Sequence, residues 1–254
     1  MEHRVRLNLL STAIVIALGI VVSTITSTIV AARAYQARAR QAASNQREIT
    51  VKGSARIRVT SDVGVWAVTV NGQGKTLPDA FAVLDGGTAK VAAFLKDQGF
   101  PDANIEMEAI ETSTHYALDA NGKTTWNIEG YELSRRIKVT SPAVANMTRA
   151  AGAVTTLIKD GVTVSSSRPQ FYYTKIADLK VKILGDAAKD AMTRAQEIAK
   201  NSGGAVSGVR SVQMGVLQVT EPNSTEVSGQ GIYDTDTVDK DVSAVVTVTY
   251  GIEA

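Results

Sequence analysis

The chain has 254 residues and a formal net charge of +2, so it lacks the strong overall field that draws nucleic acid. It has no cysteine, which rules out disulfides, thiol nucleophiles and thiolate metal sites while leaving the redox compartment open. With the N-terminal stretch set aside, roughly 200 residues remain, enough for a substantial core.

From Leu7 to Ala32 no residue is charged, and Arg4, Arg6 and Arg33 bracket the run. A helix rising about 1.5 Å per residue needs about 20 apolar residues to cross a hydrocarbon core of about 30 Å. The run predicts one transmembrane helix over 7–32, behind a short basic tail at 1–6. A cleaved signal peptide competes, because Ala32-Arg33-Ala34 imitates a small-x-small cleavage site. A signal's apolar region spans about 7–15 residues, however, and this one is longer. The hydroxyls of Ser23, Thr24, Thr26, Ser27 and Thr28 are expected to bond to their own helix carbonyls, with helix–helix contact as the alternative. Residues 33–48 are rich in Ala, Arg and Gln and read as a basic stalk whose arginines could rest on anionic headgroups. Arg4 and Arg6 are outnumbered by Arg33, Arg38, Arg40 and Arg47, a count that places the following domain in the cytosol.

From Ile49 the period becomes two: Ile49, Val51, Gly53, Ala55, Ile57 and Val59 alternate with Lys52, Ser54, Arg56 and Arg58. That pattern is a half-buried strand. Val63–Val70 is apolar on both faces and should be more central, with Asn71-Gly72-Gln73-Gly74 breaking the chain after it. Thr76 is the expected N-cap of a helix carrying Pro78 and Asp79 in its first turn. Leu77, Phe81, Leu84, Val91 and Leu95 form its apolar face, and Gly86-Gly87 implies a close contact or a kink. Ile105, Met107 and Ala109 alternate with Glu106 and Glu108. Asp119-Ala120-Asn121-Gly122 then reads as a hairpin turn before a long return strand ending at Val139.

Ser141-Pro142 opens a second helix with Val144, Met147, Val154 and Leu157 inside and Gly161 beyond its end. A short strand starts at Val162. A third helix carries Leu179, Ile183, Ala187, Ala191 and Ile198, and Asn201-Ser202-Gly203-Gly204 stops it. Val206–Val219 is strand-like, Glu221–Asp241 is polar without a clear element, and Val242–Tyr250 alternates again. The order ββα-ββ-αβ-αββ predicts an α+β domain over 49–254, with helices packed on largely antiparallel sheets.

Several segments resemble the SIMPL domain family. The opening Ile49-Thr50-Val51-Lys52-Gly53 with Asp62 and Trp66 is similar to the first strands of those domains. Phe171 through Lys180 resembles the entry to their long helix. The helix with Ala187, Ala191, Ala195 and Ala199 ending in Ser202-Gly203-Gly204, then Gly208-Val209-Arg210 and Asp239 through Ser243, are similar too. The resemblance covers about residues 48–252. It implies an envelope protein exported across a bacterial inner membrane, with the domain on the periplasmic side, against the arginine count. It further implies links to oxidative-stress tolerance in some relatives and ring- or channel-like homo-oligomers in others. It brings no catalytic residues with it.

The side chains offer little chemistry of their own. His3 and His115 are the two histidines, and His115 reads as an ordinary surface residue beside the hairpin. No G-x-S-x-G elbow or P-loop is present, and Gly72-Gln73-Gly74 lacks the rest of a dinucleotide loop. Glu106, Glu108 and Glu111 read as a solvated strand face. Asp234, Asp236, Asp239 and Asp241 are oxygen-rich but lack EF-hand spacing. Trp66, Trp126 and Tyr131 are core by pattern, or else line a groove. No catalytic, cofactor or metal residue is therefore expected. The expected partners are further copies of the chain and a lipid bilayer through residues 7–32, with no nucleic acid and any small ligand unidentified. The expectation is a non-enzymatic, membrane-anchored scaffold. A ligand-binding or stress-protective module comes second and a hydrolase using His115 third.

Overall fold

The computed structural model describes residues 26–36 and 47–253, together with Ser23 and Arg38. The expected tail at 1–6, most of the 7–32 span and most of the 33–48 stalk lie outside the described residues. Within them 26–36 is helical, and Thr26 Oγ1 donates to Ser23 O at 3.0 Å, as expected for hydroxyls in that run. Among the described residues no helix is long and apolar enough to cross a membrane.

The elements are β1 (Glu48–Thr60), β2 (Val63–Gly74), α1 (Leu77–Asp97), β3 (Ile105–Leu118), β4 (Thr124–Ser141), α2 (Val144–Ala153), β5 (Thr163–Ser166), β6 (Gln170–Tyr172), α3 (Ile176–Asn201), β7 (Ala205–Met214), β8 (Gln218–Thr220) and β9 (Asp239–Glu253). One sheet has the order β1-β9-β7, with β8 also on β9. The other has the order β3-β4-β2-β5, with β6 also on β2. The pairs of β2 with β4, β5 and β6, of β3 with β4 and of β8 with β9 are antiparallel, so the α+β reading holds. The chain divides into two compact units, one of residues 1–53, 189–213 and 247–254, the other of 54–188 and 214–246.

In the larger unit, β2 is central, flanked by β4 on one side and β5 and β6 on the other. Alternation sends Trp66, Val68 and Val70 into the core with Ile137 and Val139, closed over by Leu84, Val91 and Leu95 of α1 and by Met147 and Ala150 of α2. Thr76 caps α1 as expected, accepting from Asp79 N at 3.3 Å.

Two expectations change here for one reason. Asn71-Gly72-Gln73-Gly74 does not break the chain, because β2 continues to Gly74. Its glycines admit α1 at backbone range: a Cβ on Gly72 would lie 2.5 Å from Leu84 N, and one on Gly74 2.8 Å from Asp79 Cβ. With the helix pressed so close, Ala80 rather than Leu77 or Phe81 faces the sheet, and the two larger residues stay exposed. Gly87 serves the expected close contact, its Cβ position 2.9 Å from Val70 Cγ1.

A second apolar cluster in the larger unit joins Leu179 and Ile183 of α3 to Val219, Val242 and Ala244 of β8 and β9. Further along α3, Ala187, Ala191, Ala195 and Ala199 are buried at every fourth position, whereas Ile198 is exposed, contrary to expectation. A Schellman-like end follows, with Gly204 N donating to Ala199 O at 2.9 Å and Gly203 at φ +78°. In the smaller unit, Thr50 and Thr249 share a hydroxyl hydrogen bond at 2.9 Å, and Ile252 N donates to Arg47 O at 2.9 Å.

Candidate functional site

The β3–β4 hairpin exposes several large apolar side chains in the larger unit. Its turn forms as expected: Asp119 Oδ1 accepts from the N–H groups of Asn121 and Lys123, both at 2.9 Å, and Gly122 adopts φ +76°. Behind this polar turn, Tyr116 pairs with Ile128. Tyr116 is 39% exposed, Ile128 53%, Leu118 64% and Trp126 93%. Trp66 belongs to the core, as its pattern predicts, and donates Nε1–H to Ser166 Oγ at 3.0 Å. Trp126 does not, because among the described residues nothing covers its side chain. β3 ends its sheet, so its outer edge is open in the described sheet order.

At the base of the hairpin lies an open groove of about 580 Å³, lined by Gln73, Lys75, His115, Tyr116, Glu129 and Tyr131. Gly130 lets the strands approach, since a Cβ there would sit 2.9 Å from Gly74 O. His115 is the surface residue expected, but it has a partner that spacing did not reveal. Its Nε2 lies 2.9 Å from Glu132 Oε2, which also accepts from Gln73 Nε2 at 3.3 Å. The signal available was alternation: β4 pairs Ser113 with Glu132 and Gln73 with Glu132, placing these polar residues on one face. Among the described residues the Glu132 carboxylate is the side-chain partner of the His115 ring.

The four aspartates of the polar stretch are dispersed into separate contacts. Asp234 accepts from Lys240 Nζ at 3.1 Å, from Asp236 N at 2.9 Å and from Thr237 Oγ1. Burial pushes its carboxyl up, but those hydrogen bonds and the Lys240 charge outweigh it and hold it below the ordinary range. Lys240 is fully buried and also donates to Thr237 O at 2.6 Å. Asp236 meets Arg168 at 3.3 Å, and Asp239 accepts from Thr60 Oγ1 at 2.8 Å. Asp241 is gripped by Arg58 through Nε at 2.8 Å and Nη2 at 3.1 Å, with Arg56 at 3.7 Å and Asn223 N at 3.0 Å. The Arg58 hydrogen bond and then the Asn223 N–H lower its pKa to about 2.

The segment read as lacking an element is thus pinned within the chain. Further backbone bonds hold it, from Ser61 N to Val238 O and from Phe171 N to Thr235 O. The Asp62 carboxylate works similarly, taking Thr174 N and Oγ1 at 2.8 Å each and tying the β1–β2 turn to the entry of α3. Burial raises its pKa and the Thr174 bonds lower it, with a net shift below the usual value. Glu106 and Glu108 form the solvated face expected, 3.5 Å from Lys138 and 4.0 Å from Arg136.

A family model named SIMPL and described as a protein of unknown function (DUF541) matches residues 49–250. No curated protein matches the chain.

Proposed function

Because the chain belongs to the SIMPL family, a family without an assigned function, we propose that it is a non-enzymatic cell-envelope scaffold, anchored in the inner membrane through residues 7–32 and assembled from copies of itself. The observation that carries this reading is the apolar hairpin face of Tyr116, Leu118, Trp126 and Ile128 beside the open edge of β3. Covering a large apolar side chain is worth about 1.5–3 kcal/mol, so four exposed together are a strong drive toward association, offset by its entropy cost. An open strand edge adds unpaired backbone groups that a neighbour can satisfy. A protein surface suits this face better than a bilayer, because the polar turn Asp119–Lys123 lies beyond it and would have to enter the hydrocarbon first. Tethering raises the local concentration of copies, and one patch meeting a different patch yields a ring when the rotation closes.

Mass photometry of the full-length protein in detergent, beside Trp126→Ser/Ile128→Ser, tests the assembly. A closed oligomer that dissociates in the variant is expected, and a monomeric wild type would overturn the scaffold. Intact mass tests the anchor, since a mature chain starting near Ala34 or Tyr35 would remove it. Protease protection in spheroplasts tests the side of the membrane, with a shielded domain contradicting export. The groove with His115, Gln73 and Lys75 favours a ligand-binding module as the second reading. Its open shape gives it little enclosure for a small molecule.

A further inference from the structure

A second concavity lies on the opposite face of the same sheet from the core. Alternation along β2 sends Val65, Ala67 and Thr69 to that face while Trp66 and Val68 turn inward. The register sets Lys138 opposite Ala67, Arg136 opposite Thr69 and Gln170 opposite Val65. Ser167 closes the other side, with its N–H donating to Ala67 O at 2.9 Å and its Oγ accepting from Ala67 N at 3.1 Å. A methyl group thus sits among long polar side chains and leaves a hollow of about 200 Å³ walled by Arg136, Lys138, Ser167, Arg168 and Gln170. At roughly 30 Å³ per water, that is room for about seven waters, the scale of a headgroup and not of a drug-sized molecule.

We propose that this hollow binds a phosphate group, as free phosphate or as the headgroup of a phospholipid. Among the described residues its wall holds three cations and no carboxylate. The carboxylates that meet these cations are not part of its lining: Glu106 to Lys138 at 3.5 Å, Glu108 to Arg136 at 4.0 Å and Asp236 to Arg168 at 3.3 Å. All three pairs are solvent-exposed, and such pairs are worth about 0–1 kcal/mol, so little is lost when the cations turn to a bound anion. Two neutral donors complete the set. The Gln170 Oε1 is taken by Tyr172 OH at 3.0 Å, which leaves its amide N–H groups to donate. Ser167 Oγ accepts from the backbone and keeps its own proton to give. Five donor groups lining one small space match the several oxygens of a phosphate better than the two of a carboxylate, and arginine's fork suits that chemistry.

Titration calorimetry on the full-length protein in detergent tests the site with two probes. One is inorganic phosphate, and the other is glycerophosphoglycerol, the deacylated headgroup of phosphatidylglycerol. Saturable binding is expected, and whichever probe binds tighter assigns the source. Ala67→Leu fills the hollow without changing a charge and should weaken binding by about tenfold or more. Arg168→Gln, on a side chain 77% exposed and so safe for folding, should do the same through one lost charge-assisted hydrogen bond, also about tenfold. Absence of binding by both probes, or affinity unchanged in both variants, would overturn the proposal. Equal displacement by chloride at the same ionic strength would do so as well. None of these outcomes depends on the oligomeric state.

Discussion

Replacing Asp241 by Asn removes the charge and one of the two acceptor oxygens that bind β1 to the polar segment, and its effect should depend on pH in a defined direction. The wild-type carboxylate titrates at about 2 in the folded chain against an ordinary 3.8. That gap of just under two pH units, at about 1.36 kcal/mol per unit, sets an upper bound of about 2.5 kcal/mol. The Asp241 side chain is only 3% exposed, but that of Arg58 is 53% exposed, so solvent screening reduces the figure to about 1–2 kcal/mol. The folded pKa is depressed, so the unfolded chain takes up the proton first. The contribution is complete above about pH 5 and disappears as pH falls toward 2. Urea unfolding of wild type and Asp241→Asn at pH 7, 5, 4 and 3 measures it. Asp62 and Asp234, also lowered, contribute to acid sensitivity in both proteins and cancel in the difference. The variant should be less stable by about 1–2 kcal/mol at pH 7, and the difference should narrow to about half of that by pH 3, on its way to vanishing toward pH 2. A difference that stays constant from pH 7 to 3 would refute the ion-pair account.

Gly72→Ala should destabilise by about 1–3 kcal/mol or prevent folding, because its methyl group meets the α1 backbone, which cannot yield as a flexible side chain would. Thermal unfolding checks it, and a neutral result would mean that α1 can lift from β2. Lys240→Met leaves the partly buried Asp234 carboxylate without its cation and should cost about 2–4 kcal/mol in chemical denaturation. A cost below about 0.5 kcal/mol would show that Thr237 and the Asp236 N–H suffice. Trp126→Ser should leave the monomer's unfolding midpoint unchanged in urea, since the side chain touches little that is buried. A clear fall would show that the hairpin is packed by its own chain.

Periodicity made the fold legible because most strands have one covered face and one wet one. β1 could be placed from its alternation and β2 from a run apolar on both faces, and Thr76 with Asp79 marked the start of α1 by local hydrogen bonding. What sequence reasoning missed depended on long-range approach. Gly72 and Gly74 look like a turn in one dimension, and only the arrival of α1 at backbone range explains them as strand. The same approach turned Leu77 and Phe81 outward against their helical spacing. The stretch Glu221–Asp241 is polar, so it offered no apolar period to read. Its order comes from partners far away in sequence, such as Arg58 on Asp241 and Thr60 on Asp239. His115 was visible as a residue, yet Glu132 could not be paired with it until the hairpin register was known.

The two tryptophans of this chain sit at opposite extremes, Trp66 at 1% exposure within the core and Trp126 at 93% on the hairpin. The chain therefore carries an intrinsic pair of optical probes. Emission from Trp66 should be blue-shifted and shielded from acrylamide, while that of Trp126 should be red-shifted and readily quenched. A rise in quenching resistance with protein concentration, without loss of the shielded component, would report that something has come to rest on the hairpin while the core stays intact. Trp66→Phe would leave the hairpin signal alone in the spectrum, without any extrinsic dye.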